Sequence, residues 1–363
     1  MSPASFAVIG AGWRGLYFLR IARALPDRFR VTGIVVRDPD RARRTQAEWG
    51  VPAHPSLQAL LGTGLPDFLA LAVTRASAPA LLAETAAANL PVMTETPPAA
   101  DLAGLLQVWQ LVEAGARIQA AEQYLFHPWH AARLALVRSG RLGDVSQVQI
   151  SIAHAYHGMS LLRLMLGVGF DTAHISARTF SAPLVAGPGR QGPPTQQEVI
   201  SSEQVIAQVE FGAKLGIYDF ASGQYRSWIR SPRLLVRGER GGINDTLVRY
   251  LKDFRTPVTL KLRRMDAGQG GGPEYYGHEA VLAGEERLYE NPFPGASLSD
   301  DEIAGATSLQ KMAEYAAGGA GPYPFAEAAQ DHYLALCIDK ARASGTTVTP
   351  VRQPWADYKG ATR

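Results

Sequence analysis

Phe6-Ala7-Val8-Ile9-Gly10-Ala11-Gly12-Trp13-Arg14-Gly15 decides the fold. Four apolar residues run straight into a glycine turn spaced GxGxxG, and a helical pattern follows over Leu16–Leu25. In such a turn Gly10 makes the tight bend and Gly12 lets backbone approach a pyrophosphate. Gly15 lets helix and strand pack closely, and the helix N-terminus receives the negative charge. A bare GxGxxG is weak evidence. The strand–turn–helix setting at the start of a βαβ unit of about 30 residues makes it a dinucleotide signal. Gly10, Gly12, Trp13, Arg14 and Gly15 are therefore candidate cofactor-binding residues.

Working outward, short apolar runs alternate with helical patterns up to residue 120. Strands are expected at Val31–Val36, Phe68–Val73, Val92–Glu95 and Ile118–Ala120, with helices at Pro39–Trp49, Ala78–Ala88 and Asp101–Ala114. Continuously apolar strands separated by helices imply a parallel sheet covered on both faces, a doubly wound α/β domain. The end of the second strand reads Val36-Arg37-Asp38. An NAD site wants an acidic residue there for the ribose 2′-hydroxyl, whereas an NADP site wants an arginine for the 2′-phosphate. Val36 offers nothing and Arg37 is suitably placed, which favours NADP, with NAD as the alternative.

After residue 120 the rhythm changes. Strand patterns fall at Val145–Ile152, Glu203–Phe211, Lys214–Phe220, Leu234–Arg237 and Val258–Leu262, and helical ones at His130–Arg138, Asp300–Ala317 and Pro324–Ser344. Val148, Ile150 and Ile152 alternate with Gln147, Gln149 and Ser151, the pattern of a sheet with one covered face. Ala186–Gln197 and Gly268–Pro273, rich in Gly and Pro, read as loops. The expected architecture is a Rossmann domain over 1–121 and an α+β domain over 122–363, built on a large, mostly antiparallel open sheet.

Composition narrows the function. The 363 residues suit about two domains. Lys+Arg 36 against Asp+Glu 33 leaves +3. Residues 1–125 carry 11 basic and 10 acidic groups, so neither half has the surplus of a nucleic-acid binder. The single cysteine, Cys337, excludes an intramolecular disulfide and a multi-cysteine metal site. No basic segment leads into an apolar one at the N-terminus, and no apolar run approaches the roughly 20 residues of a membrane span. A cytoplasmic protein without a membrane partner is the expectation. Of the 36 basic residues 30 are Arg and only six Lys, the first being Lys214. Chemistry in the first half must proceed without a lysine.

Several segments together resemble the glucose–fructose oxidoreductase / inositol dehydrogenase / MocA family. They are AVIGAGWRG, VRDPDRARRTQAEWGVP, PVMTETPPAAD, AEQYLFHPWHAARLALVRSGRLGDV and HGMSLLRLMLG, and the likeness covers about residues 5–170. The resemblance implies a Rossmann domain, a C-terminal sheet domain, often a homo-oligomer (dimer or tetramer) formed through that sheet, and oxidation or reduction of a sugar-like small molecule between the domains. It also implies cofactor contacts at Thr74, Glu95 and Pro97. Three family positions have changed. The Glu-Lys-Pro motif reads Glu95-Thr96-Pro97, so Thr96 stands where the catalytic lysine belongs. Asp-x-x-x-His reads Ala153-His154-Ala155-Tyr156-His157, keeping only the histidine. In the segment after the fourth strand, Thr74 stays but Arg75 and Pro79 replace the usual Pro and His.

Hydride transfer from a carbinol needs a group to take the hydroxyl proton. Thr96 cannot act as a base near neutrality and can only orient or relay. His157 is the best candidate, with Tyr156 as a substitute if its pKa is lowered. Tyr124, His127, His154 and Trp228 are candidate substrate contacts, since aromatics mixed with hydrogen-bonding groups suit sugar binding. The His127/His130 and His154/His157 pairs are spaced i,i+3, but no accompanying carboxylate motif supports a metal, and none is expected. Two alternatives stay open beside a sugar oxidoreductase: a redox-assisted lyase or glycosidase with a tightly held cofactor, and a non-catalytic sensor of the same fold.

Overall fold

The computed structural model describes residues 2–189, 191–268 and 277–358. Its first half runs β1 (Ala4–Ile9), α1 (Trp13–Ala24), β2 (Phe29–Val35), α2 (Pro39–Trp49), β3 (Ala53–His54), α3 (Leu57–Leu61), β4 (Phe68–Leu71), α4 (Ala78–Ala87), β5 (Val92–Thr94), α5 (Leu102–Glu113) and β6 (Ile118–Ala120). The six strands are parallel in the order β3-β2-β1-β4-β5-β6. β1 and β4 are central and apolar on both faces because helices cover both; Phe6 stacks on Phe68 with ring centroids 5.3 Å apart. The strand order reverses between β1 and β4, and a ligand crevice opens beyond their carboxyl ends. β3 and α3 escaped the sequence reading, being too short to carry a period.

The second half comprises α6 (Pro128–Arg138), β7 (Val145–Ser151), α7 (Ala155–Leu166), β8 (His174–Val185), β9 (Val199–Phe211), β10 (Lys214–Ala221), β11 (Arg233–Gly238), β12 (Gly241–Asn244), β13 (Leu247–Leu251), β14 (Pro257–Ala267), β15 (Gly277–Ala283), β16 (Glu286–Glu290), α8 (Asp300–Ala316) and α9 (Phe325–Ser344). Among the described residues ten strands form one sheet, β16-β15-β14-β13-β12-β11-β7-β10-β9-β8, antiparallel except for β7 beside β10. The alternation read in β7 holds: Val148 and Ile150 are fully buried. Register carries that closed face sideways, with Val148 opposite Val236 and Gly216, while Gln149 shares the other face with Leu235 and Ile217. That other face is open, and leaves Phe180 and Ile206 exposed. The Ala186–Gln197 loop joins β8 to β9 and holds one bridge, Gly189 to Gly192. Of the expected loop Gly268–Pro273, residues 269–273 lie outside the described residues.

Two returns of the chain build the cleft. α7 lies on the closed face because Gly216 and Gly158 leave room: a Cβ at Gly216 would meet Leu162 at 2.4 Å, and one at Gly158 would meet the Tyr218 ring at 2.8 Å. α8 folds back onto the first half, where Ile303, Ala306, Leu309 and Met312 share a core with Phe6, Tyr17 and Phe18. A capping box of Ser299 and Glu302 starts α8, and the Tyr17 hydroxyl donates to the Asp301 carbonyl at 2.5 Å. Asp301 thereby arrives beside the glycine turn.

Candidate active site

The glycine turn has the geometry its sequence demands. Gly10 has φ +104°, and a Cβ there would sit 2.4 Å from the Ala72 carbonyl oxygen; one at Gly15 would sit 1.9 Å from that of Gly10. Gly12 differs: nothing lies within 4 Å of where its Cβ would be. It also caps α1 with no side chain over the first turn, so the helix N-terminus is open to an anion. At the end of β2, Asp38 is engaged as the N-cap of α2, accepting from the Arg41 N–H at 2.7 Å, while Arg37 is exposed. The Arg41 guanidinium donates to the Ala11 carbonyl across the turn.

Arg14 leaves the turn and enters a polar cluster. It stacks on Tyr17 and Trp13, and its Nε donates to Glu95 Oε2 at 3.2 Å. Asp301 lies 3.9 Å away, and the Gln123 carbonyl accepts from Arg14 at 2.8 Å while its amide donates to the Ala121 carbonyl. Burial alone would lower the Arg14 pKa; Glu95, Tyr17 and Asp301 more than offset it and raise it. Burial raises Glu95, with Arg14 and His157 pulling back. Arg14 thus braces the cleft wall rather than standing free for phosphate. Glu95 Oε1 and Thr96 Oγ1 are buried without a hydrogen-bond partner, and the Thr96–Pro97 peptide is cis. Thr74, beyond β4, has its hydroxyl 3.0 Å from that of Ser77. An open helix N-terminus together with unanswered polar atoms beyond β5 fits a dinucleotide laid from Gly12 toward Thr96.

Beyond β6 lies a residue the sequence reading passed over. Glu122 is 2% exposed, and its Oε2 receives His157 Nδ1 at 2.6 Å; its Oε1 accepts the Tyr124 N–H at 3.0 Å. A carboxylate accepts only, so His157 Nδ1 is the donor in this bond and Nε2 is the ring nitrogen not used by Glu122. His157 sits in the first turn of α7, held there by the Tyr218 hydroxyl, which donates to the Ala153 carbonyl at 3.0 Å. Tyr124 and Tyr156 flank its ring at 4.4 and 4.3 Å between centroids. The expectation of a tyrosine with a lowered pKa is reversed. Burial raises both, Tyr124 further through its hydrogen bond to Tyr225, so each is a neutral hydroxyl at working pH.

Tyr124 and His127 line a cleft of about 330 Å³ together with Gln123, Trp129, Arg133 and Asp301. His127 precedes α6, and burial lowers its pKa, as it does that of His130. The two rings are 5.3 Å apart. Among the described residues no group of three or more His, Cys, Asp or Glu gathers to hold a metal ion. His154 caps α7, and its N–H donates to the Tyr225 hydroxyl at 2.9 Å. Trp228, expected to face substrate, is 73% exposed outside the lining of this cleft, on the connection leading to β11. Lys214, at the start of β10, is bound to Asp144 and the Leu166 carbonyl.

Residues 4–121 match the family model GFO_IDH_MocA, the oxidoreductase family with an NAD-binding Rossmann fold. The matched residues are those of the N-terminal parallel-sheet domain. No curated protein sequence matches the chain. Among solved structures, an oxidoreductase from Agrobacterium radiobacter in complex with NAD+, L-tartaric acid and magnesium superposes with a TM-score of 0.68 at 17% identity, over 96% of this chain and 98% of that one. The WlbA dehydrogenase from Bordetella pertussis, in complex with NADH and UDP-GlcNAcA, gives 0.65 at 15% over 97% and 100%. Levoglucosan dehydrogenase with NADH and levoglucosan gives 0.68 at 13% over 96% and 99%. At these identities the likeness establishes the fold of both halves, the Rossmann domain and the large sheet behind it. No helix among the described residues is long and apolar enough to cross a membrane.

Proposed function

We propose that the protein is an NADP-dependent oxidoreductase acting on a hydroxyl or carbonyl of a sugar-like substrate, with Glu122 and His157 performing the proton transfer. The observation that carries this reading is the 2.6 Å contact between His157 Nδ1 and Glu122 Oε2, buried beside the cleft. It supplies a proton acceptor where Thr96 and Ala153 supply none, and it favours a catalyst over a sensor. Oxidoreductases of this family, and structures with similar folds bound to NADH with UDP-GlcNAcA or levoglucosan, point the same way.

A bound nicotinamide supplies the hydride acceptor or donor. His157 Nε2 takes the substrate hydroxyl proton during oxidation and returns it during reduction. Glu122 fixes the tautomer and stabilises the imidazolium as it forms, the task a buried carboxylate performs for a catalytic histidine. Tyr124 and Tyr156 are neutral donors able to orient the substrate oxygen. Gly12 and the N-terminus of α1 would hold the pyrophosphate, and Arg37 the 2′-phosphate. The homo-oligomer implied by the family resemblance would pair the open sheet faces carrying Phe180 and Ile206. The test is Glu122→Gln assayed by nicotinamide absorbance against a sugar and polyol panel. A loss of about a hundredfold in kcat with cofactor affinity intact is expected; an unchanged kcat removes the pair from the chemistry.

A further inference from the structure

The wall of the cleft carries a charge that no described carboxylate pairs with. Arg133 on α6 is 8% exposed and lines the cleft beside Trp129 and Tyr124. Its Nε donates to the Asp245 carbonyl at 3.0 Å, and its terminal nitrogen to His130 Nδ1 at 3.2 Å. A guanidinium can only donate, so His130 accepts here and is neutral, in line with its depressed pKa. No described carboxylate comes within ion-pair distance of Arg133. Arg163, also buried, is treated differently: it meets Glu327 at 2.6 Å and Asp331 at 2.5 Å.

The remaining charged groups around the cleft are already engaged. Arg233 pairs with Asp219 at 2.5 Å, and Asp301 faces Arg14. Asp245 spends Oδ1 on the Leu234 N–H at 2.7 Å, and its field does not offset burial, which pushes Arg133 down to about 10. A buried cation without a carboxylate is costly in the free protein and becomes favourable when a ligand brings the anion.

We propose that the cleft takes a substrate bearing an anionic group, a carboxylate or a phosphate, which pairs with Arg133 and turns the reacting carbon toward Glu122 and His157. The inference rests on the redox reading above, and names the substrate class that reading leaves open. Arg133 is then a specificity-determining residue. Tyr124, which lines the same cleft and lies against His157, connects the anion-binding end to the reacting end.

The experiment is calorimetric titration of the NADP+-loaded protein with uronates, aldonates and hexose phosphates, each beside its neutral parent sugar or polyol, followed by turnover assays. At least one acid is expected to bind about tenfold or more tightly than its parent, with uronates against phosphates identifying which anion the site takes. Arg133→Met should abolish that preference and leave cofactor binding unchanged. If that variant does not fold, Arg133→Lys keeps the charge but loses the two-pronged geometry, and should weaken acid binding about tenfold while sparing the neutral parents. Neutral parents that bind and turn over as well as the acids would overturn the proposal and leave the redox reading standing. Cofactor binding with no sugar or acid bound at all would overturn both.

Discussion

At the residue scale, the three glycines of the turn separate folding from binding. Gly10 and Gly15 are required by backbone they touch, whereas Gly12 borders open space. Gly10→Ala combines a positive φ with a 2.4 Å approach to a carbonyl oxygen, so it should cost at least about 2 kcal/mol and lower the melting temperature. Gly12→Ala should melt like the parent yet bind NADP+ about tenfold more weakly, because the added methyl occupies space a pyrophosphate needs. Melting curves with and without cofactor distinguish them; equal loss of stability in both would mean that Gly12 also serves packing. Arg37 is tested by its neighbours' commitments, since Asp38 caps α2 and Val36 has no polar atom. Arg37→Ala should reduce the preference for NADPH over NADH about tenfold, measured as a ratio of kcat/KM values. An unchanged ratio moves the 2′-phosphate contact elsewhere.

At the scale of elements, legibility followed periodicity. α2 was read at its observed bounds because Pro39 and Gly50 punctuate it, and β7 to within one residue because apolar and polar residues alternate along it. β8 was missed: most of His174–Val185 faces solvent, so apolar residues such as Ile175 and Leu184 are scattered among polar ones. β12 and β13 are only four and five residues long, too short to carry a period. Glu122 was illegible for a different reason. It follows β6 as a lone acid, and its partner is 35 residues away on α7, a distance no local pattern spans. α9 illustrates what such burial does to stability. His332 lies within it, 4% exposed, and burial lowers its pKa to about 4 from an ordinary 6.5. The folded state therefore refuses a proton that the unfolded state accepts. Stability is complete above about pH 6.5 and falls as pH drops toward about 4, by up to about 3 kcal/mol from this group. His127 and His130 act in the same direction. Thermal melting across that range should show the loss, and His332→Asn should flatten it. An identical acid slope in the variant would place the effect in the other histidines.

At the scale of the whole molecule, the candidate site draws on both halves. The Rossmann domain brings the open helix N-terminus, Glu95 and Thr96; the sheet domain brings α7 with His157 and α6 with Arg133; α8 returns to set Asp301 against Arg14. Thr96 stands where the family resemblance implies a lysine, and in the proposed mechanism Glu122 and His157, in contact at 2.6 Å, handle the proton at the domain junction instead. The measurement that tests this most directly is the pre-steady-state rate of nicotinamide absorbance change in the parent and in Glu122→Gln, with cofactor affinity measured alongside on the same sugar and sugar-acid panel. The account predicts a substrate that reduces bound NADP+ in the parent, and a rate about a hundredfold lower in the variant with cofactor affinity unchanged. Equal rates in the two proteins at every pH would contradict it.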